Sequence, residues 1–192
     1  MQTALIGDLE IEIRRNRAGS IAARETTSES KPFSLEREHA LPLLVQAKAS
    51  GDSLADWITS NRDKLNASLR KHGGILFRGF AIQSAGDFEE VIITVSGRLL
   101  DYTYRSTPRR VVSGKIYTST EYPKNQTIPL HNENSYTHDW PMKIWFFSRL
   151  CAETGGETPI ADGRRVYQRI PRQVRDRFER NGVMYVRNYG SG

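Results

Sequence analysis

Residues 53–80, "SLADWITSNRDKLNASLRKHGGILFRGF", set the strongest limit on what this chain can fold into. Ser53 stands where a helix N-cap accepts a hydrogen bond from the backbone of the first turn. Behind it Leu54, Trp57, Ile58, Leu65 and Leu69 fall on one apolar stripe at helical spacing. His72-Gly73-Gly74 stops that helix, because glycine enters the left-handed backbone of a C-terminal cap without a steric cost. "ILFRGF" (75–80) then reads as a strand that ends in a glycine bend. A second helix starts at Ser84 or Asp87 and runs through "FEEVIITVSGRLL" to residue 100.

The remaining chain changes character. "RVVSGKIYTST" (110–120), "TIPLH" (127–131), "KIWFFSRL" (143–150) and "ETPIAD" (157–162) read as short strands. A helix at 171–181 opens with Pro171 and ends at Asn181-Gly182. "VMYVRNY" (183–189) reads as a further strand, whose unpaired edge favours a homo-oligomer. Near the start, "DLEIEI" (8–13) alternates as a short strand does, and 18–34 is a small, polar, aperiodic connector. Residues 1–34 are therefore predicted as a strand plus connector, and 35–192 as one domain. Helices first and short strands afterwards predict an α+β fold whose sheet closes on itself or pairs face to face.

Composition removes several function classes. The longest apolar runs stay far below eighteen residues, so no transmembrane helix is expected, and the N-terminus turns charged too early for a signal peptide. The net charge of +6 permits anion binding, but the arginines are scattered. Those from Arg164 to Arg180 interleave with Asp176 and Glu179, while Val174 and Phe178 recur at i, i+4. That pattern is the solvated face of an amphipathic helix, and neither a nucleic acid nor a membrane is an expected partner. The single cysteine, Cys151, excludes an internal disulfide and fits a cytoplasmic location. Its place after "FFSRL" predicts a packed thiol and not a nucleophile.

Chemistry concentrates in "IPLHNENSYTHDWP" (128–141). If 127–131 is a strand, alternation points His131 and Glu133 to the same side. An imidazole and a carboxylate on one side make two thirds of the facial triad that leaves positions open on Fe(II). The competing reading is a polar turn after a strand. Asn132 reads as a turn former and His138 as loop surface, while Asn134, Ser135 and Tyr136 either line a pocket or complete the turn. His39 reads as a helix-end residue and His72 as a C-capping neighbour. Trp140, Trp145, Phe146 and Phe147 are most simply core.

"HGGILFRGF" (72–80), "LHNENSYTHDWPMKIWFF" (130–147) and "GGETPIAD" (155–162) carry a family resemblance in their order and spacing. From about residue 40 to 190 the chain resembles the taurine dioxygenase-like, clavaminate synthase-like Fe(II)/2-oxoglutarate-dependent oxygenases. The resemblance implies a double-stranded β-helix, a jelly-roll core with flanking helices. It also implies oxidation of an unactivated C–H bond with Fe(II), 2-oxoglutarate and molecular oxygen. Members that this chain resembles act on small molecules, among them amino acids, some carrier-bound, and small sulfonates or carboxylates, so the resemblance implies a small-molecule substrate.

Carried over residue by residue, His131 matches the first iron-binding histidine and Glu133 the carboxylate ligand. Thr158 matches the threonine that helps bind 2-oxoglutarate, with Gly155-Gly156 making a tight turn before it. The family takes a second histidine and a carboxylate-clamping arginine from well downstream. This chain has no histidine after His138, and Arg187 lies too near the first motifs to match the clamp. The expectation is therefore the front part of a jelly-roll domain, incomplete at the C-terminus. It is either a portion of a longer enzyme, inactive alone, or a truncated non-catalytic module for binding or assembly.

Overall fold

A computed structural model describes residues 4–6, 10–14, 41–100, 109–119, 123, 125–186 and 188, the first two stretches as backbone. The predicted connector at 18–34, His39 and Arg187 lie outside the described residues. Two strands, β1 (Ala4–Ile6) and β2 (Glu10–Arg14), come first, the second close to the predicted 8–13. After β3 (Leu43–Gln46) the predicted long helix is two helices, α1 (Leu54–Ser60) and α2 (Arg62–His72).

Ser53 caps α1 by accepting from the Asp56 N–H at 3.2 Å. The break falls at Asn61, where φ is −126° and the side chain donates to the Trp57 carbonyl at 2.8 Å. An asparagine that bonds back to the preceding turn competes with helix continuation. The apolar stripe survives the break, and Leu54, Ile58, Leu65 and Leu69 are all buried. Gly73 ends α2 at φ +80°, with its N–H on the Leu69 carbonyl. Strand β4 (Gly74–Arg78) follows at once. Next, α3 (Ala85–Ser96) opens on a capping box between Ser84 and Asp87. The Gln83 backbone N–H and the Ser84 hydroxyl and N–H hold the Asp87 carboxyl below its usual range.

The hairpin β5 (Val111–Ser113) and β6 (Ile116–Tyr117) comes next, then β7 (Ile144–Ser148), β8 (Ile160–Asp162), α4 (Gly163–Arg169) and α5 (Arg172–Asn181). The main sheet has the order β3-β4-β2-β7, and every pairing in it is parallel. Parallel neighbours need a long crossover, and α1 with α2 supplies it between β3 and β4. β4 lies between β3 and β2, and its residues from Gly74 to Phe77 are buried. Around it Trp57, Phe77 and Phe80 meet edge to face at 5.7–6.2 Å between centroids. β7 joins this core through Phe147, which stacks on Phe88 at 5.3 Å. A separate parallel pair joins β1 to β8.

The fold is a mixture of helix and strand, as the sequence implies. Four local expectations change. Residues 127–131 form no strand, and Pro129, which has no N–H, stands in the middle of them. Residues 183–186 and 188 form none either, so the strand edge expected to drive self-association is absent among the described residues. The helical stretch read across Arg164–Arg180 is two helices parted at Ile170-Pro171, and Asp162 starts α4 by accepting from the Arg164 N–H at 2.9 Å. Cys151 and Trp140 are exposed, not packed, because β7 stops at Ser148 and the segment before it is an irregular loop. Trp145 and Phe147 do pack against the core.

Candidate metal centre

Residues 125–142 run without regular secondary structure, yet they bring His131 and Glu133 together. His131 Nε2 lies 3.7 Å from Glu133 Oε2. The two converge although residues 127–131 form no strand, and a turn follows directly on Glu133. Asn134 takes the left-handed backbone at φ +52°, which asparagine tolerates better than most residues, and its carbonyl accepts from the Thr137 N–H at 3.1 Å. The turn reading and the paired-side-chain reading of the sequence thus describe the same atoms.

The His131 ring is oriented from its other side. Nδ1 lies 2.8 Å from the Pro129 carbonyl oxygen. A carbonyl only accepts, so Nδ1 carries a proton, and in the neutral ring the lone pair falls on Nε2, towards Glu133. Metal-binding histidines are commonly fixed in this way, with the far nitrogen donating to a carbonyl. A separation of 3.7 Å is too long for a hydrogen bond. It is within reach of two donors that share one cation, since each would sit about 2.0–2.2 Å from it. An imidazole nitrogen with a carboxylate oxygen suits iron and neighbouring divalent metals. One residue on, Asn134 Oδ1 is buried and accepts no hydrogen bond among the described residues.

Sequence reasoning missed a third member of the cluster. Arg109 Nη2 lies 3.7 Å from Glu133 Oε1, and both side chains are only 16% exposed. The two oxygens of one carboxylate therefore face different neighbours, a guanidinium and an imidazole. Nothing in "RSTPRRVVSG" marks Arg109 above the adjacent Arg110, because the contact spans 24 residues and has no local spacing.

The other predicted residues are placed less closely. His138 is exposed, as the loop reading has it. Among the described residues, no group of three His, Cys, Asp or Glu side chains assembles. Thr158 is half-buried and precedes β8 instead of lying in it, after a turn in which Gly155 and Gly156 both take positive φ. Tyr185 returns to the turn, its ring 6.3 Å from that of Tyr136 and its hydroxyl donating to Ser135 Oγ at 3.3 Å.

The segment after Thr158 is fixed by a second unforeseen arginine. Arg164 donates to both Asp162 oxygens at 3.0–3.1 Å and to the Arg70 and Lys71 carbonyls at 2.9 and 3.2 Å. Those carbonyls belong to the last turn of α2, where a cation is favoured by the helix dipole. The same guanidinium holds the Asp162 carboxyl below its usual range. One side chain outside both motifs thus ties Asp162 of "GGETPIAD" to the last turn of α2, just before "HGGILFRGF".

The sequence pattern of the family described as "Taurine catabolism dioxygenase TauD, TfdA family" matches residues 37–192. The chain belongs to the TauD, TfdA family. Family members are generally dependent on Fe(II) and 2-oxoglutarate. The chain is 36% identical over 149 residues to the dapdiamide synthesis protein DdaC of Enterobacter agglomerans, covering 78% of this chain and 45% of that protein. It is 34% identical over 155 residues to a clavaminate synthase-like protein of Arabidopsis thaliana, covering 79% and 44%. The match thus spans under half the length of either relative. Among the described residues no helix is long and apolar enough to cross a membrane.

Proposed function

We propose that this TauD, TfdA family chain forms part of an Fe(II)/2-oxoglutarate-dependent oxygenase domain with a jelly-roll core, and that it acts on a small organic or amino-acid-like substrate. The observation that carries this reading is the approach of His131 Nε2 to Glu133 Oε2 at 3.7 Å, with Nδ1 tied to Pro129. In it His131 and Glu133 are two protein ligands of the metal. A further histidine and a carboxylate-clamping arginine come from outside these 192 residues. Bound there, Fe(II) with 2-oxoglutarate supplies oxidation of a C–H bond by molecular oxygen. The names of the two relatives, one for dapdiamide synthesis and one clavaminate synthase-like, support a small-molecule substrate.

The roles of this chain's own residues follow from their chemistry. The Pro129 carbonyl keeps the His131 ring in the tautomer that presents Nε2. Glu133 offers Oε2 while Oε1 faces Arg109. Thr158 donates its hydroxyl to a carboxylate of 2-oxoglutarate, a charge-assisted bond worth about 1.5–3 kcal/mol, or roughly ten- to a hundredfold in affinity. A second reading is a non-catalytic binding or assembly module of the same fold. The absence of a third convergent ligand among the described residues favours it for the isolated chain.

The test is a titration of the full chain with Mn(II), followed by broadening of the histidine ring signals in NMR. His131→Ala should abolish the binding, and His138→Ala should leave most of it. Equal losses from the two substitutions would remove the assignment. Fe(II) and 2-oxoglutarate, added without oxygen, should give at most a faint charge-transfer band with residues 1–192 alone. A strong band followed by repeated succinate release in air would show that the site is complete within this chain.

A further inference from the structure

Arg109 is not explained by the family chemistry carried over to this chain, yet it is one of the better shielded charges after residue 100. Its guanidinium Nη2 stands 3.7 Å from Glu133 Oε1, and its side chain is 16% exposed in a region that buries little else. The geometry divides the Glu133 carboxylate: Oε1 faces a permanent cation and Oε2 faces Nε2 of the His131 ring. Arginine stays charged at any pH a protein meets.

We propose that Arg109 is a positioning residue that serves as the resident counter-charge of Glu133, so that a divalent metal entering the site competes with it for that carboxylate. This rests on the reading of His131 and Glu133 as ligands. A metal that takes up Glu133 would draw on the carboxylate charge that Arg109 shares, and it would enter beside a permanent cation. Both effects weaken metal binding relative to a site with a neutral residue at 109. The same cation attracts Oε1 and so favours the rotamer that leaves Oε2 on the side of the imidazole. The device keeps Glu133 partnered when no metal is present, and it holds the site empty at low metal concentration.

The sign of the effect separates this from a structural role. General damage to the loop would weaken metal binding, whereas loss of the counter-charge strengthens it. Mn(II) is titrated calorimetrically into the full chain, with thermal unfolding of the metal-free protein recorded alongside. Arg109→Gln should bind Mn(II) about tenfold more tightly than the native chain, about 1.4 kcal/mol. Arg109→Lys, which keeps the charge, should stay near the native affinity. Arg109→Met keeps the packed stem and gives the same comparison if the glutamine variant does not fold. Mn(II) affinity that is unchanged or weaker in the neutral variants, with native binding intact and lost in His131→Ala, overturns the counter-charge and leaves the metal reading standing. Binding that is absent from the native chain, or indifferent to His131→Ala, overturns both.

Discussion

Residues 41–100 and residues 109–186 both contribute strands to the main sheet, β3 and β4 from the first and β7 from the second, yet they are built differently. In the first region the chain closes a core on itself: every buried apolar side chain among the described residues lies between Leu43 and Ile92. In the second region no described side chain is fully buried, and Leu150, Met184 and Val186 stand 90%, 85% and 68% exposed. Helix α5 shows Val174 and Phe178 at 41% and 57% exposure, although they occupy its apolar stripe. An apolar stripe is thus evidence for a helix and says nothing about whether a partner covers it. The first region holds its shape by local caps and a filled interior. The second is tied to it by β7, with Phe147 on Phe88, by Ser113 on Glu89 at 3.2 Å, by Lys115 on the Leu99 carbonyl at 3.0 Å, and by Arg164 on the end of α2.

The largest expected effect tests this contrast directly. Phe77→Ala should lower unfolding free energy by about 3–5 kcal/mol, because the ring is fully buried between Trp57 and Phe80. Phe178→Ala, the same chemical change in the second region, should move it by less than about 0.5 kcal/mol. Denaturant midpoints of the two variants measure both. A comparable loss for Phe178→Ala would mean that α5 is covered in solution, and the contrast would fail.

A cap probes the first region at smaller scale. Ser84→Ala removes the acceptor for the Asp87 N–H at 3.1 Å and should cost about 1 kcal/mol. Hydrogen exchange should then quicken first in α3. Arg164→Ala tests the tie between the regions and should cost about 1 kcal/mol, since the side chain is half exposed and its bonds compete with water. Its signature is local: amides of β8 and α4 should exchange faster while those of β4 stay protected. Uniform acceleration across both regions would show that the two unfold as one unit.

The smallest effect is in acid. Asp162 is held below the ordinary carboxylate value of 3.8 by the Arg164 guanidinium. A depressed folded value stabilises the protein at pH above the ordinary one, and that contribution is lost as pH falls below 3.8 through the folded value. Asp162→Asn should therefore flatten the acid limb of stability against pH. Asp87 titrates with the same sign, so the quantity to read is the difference between the variant and the native chain.

What the sequence determined by itself lies within a few residues of its cause. The Ser53 and Ser84 caps, the stop at Gly73, the bend at Gly79 and the end of α5 at Gly182 all follow from hydrogen bonds and backbone preferences acting over four residues or fewer. The three motifs that place the chain in the TauD, TfdA family are of the same kind, since each is a short run of residues in order. The proximity of His131 to Glu133 was legible as a pairing, but its stated cause was not, because residues 127–131, with Pro129 among them, form no strand. Only the tertiary structure decided the parallel order β3-β4-β2-β7, the approach of Arg109 to Glu133, and the bridge from Arg164 to α2 across more than ninety residues. Those contacts depend on how distant segments are brought together, and no spacing along one chain encodes that.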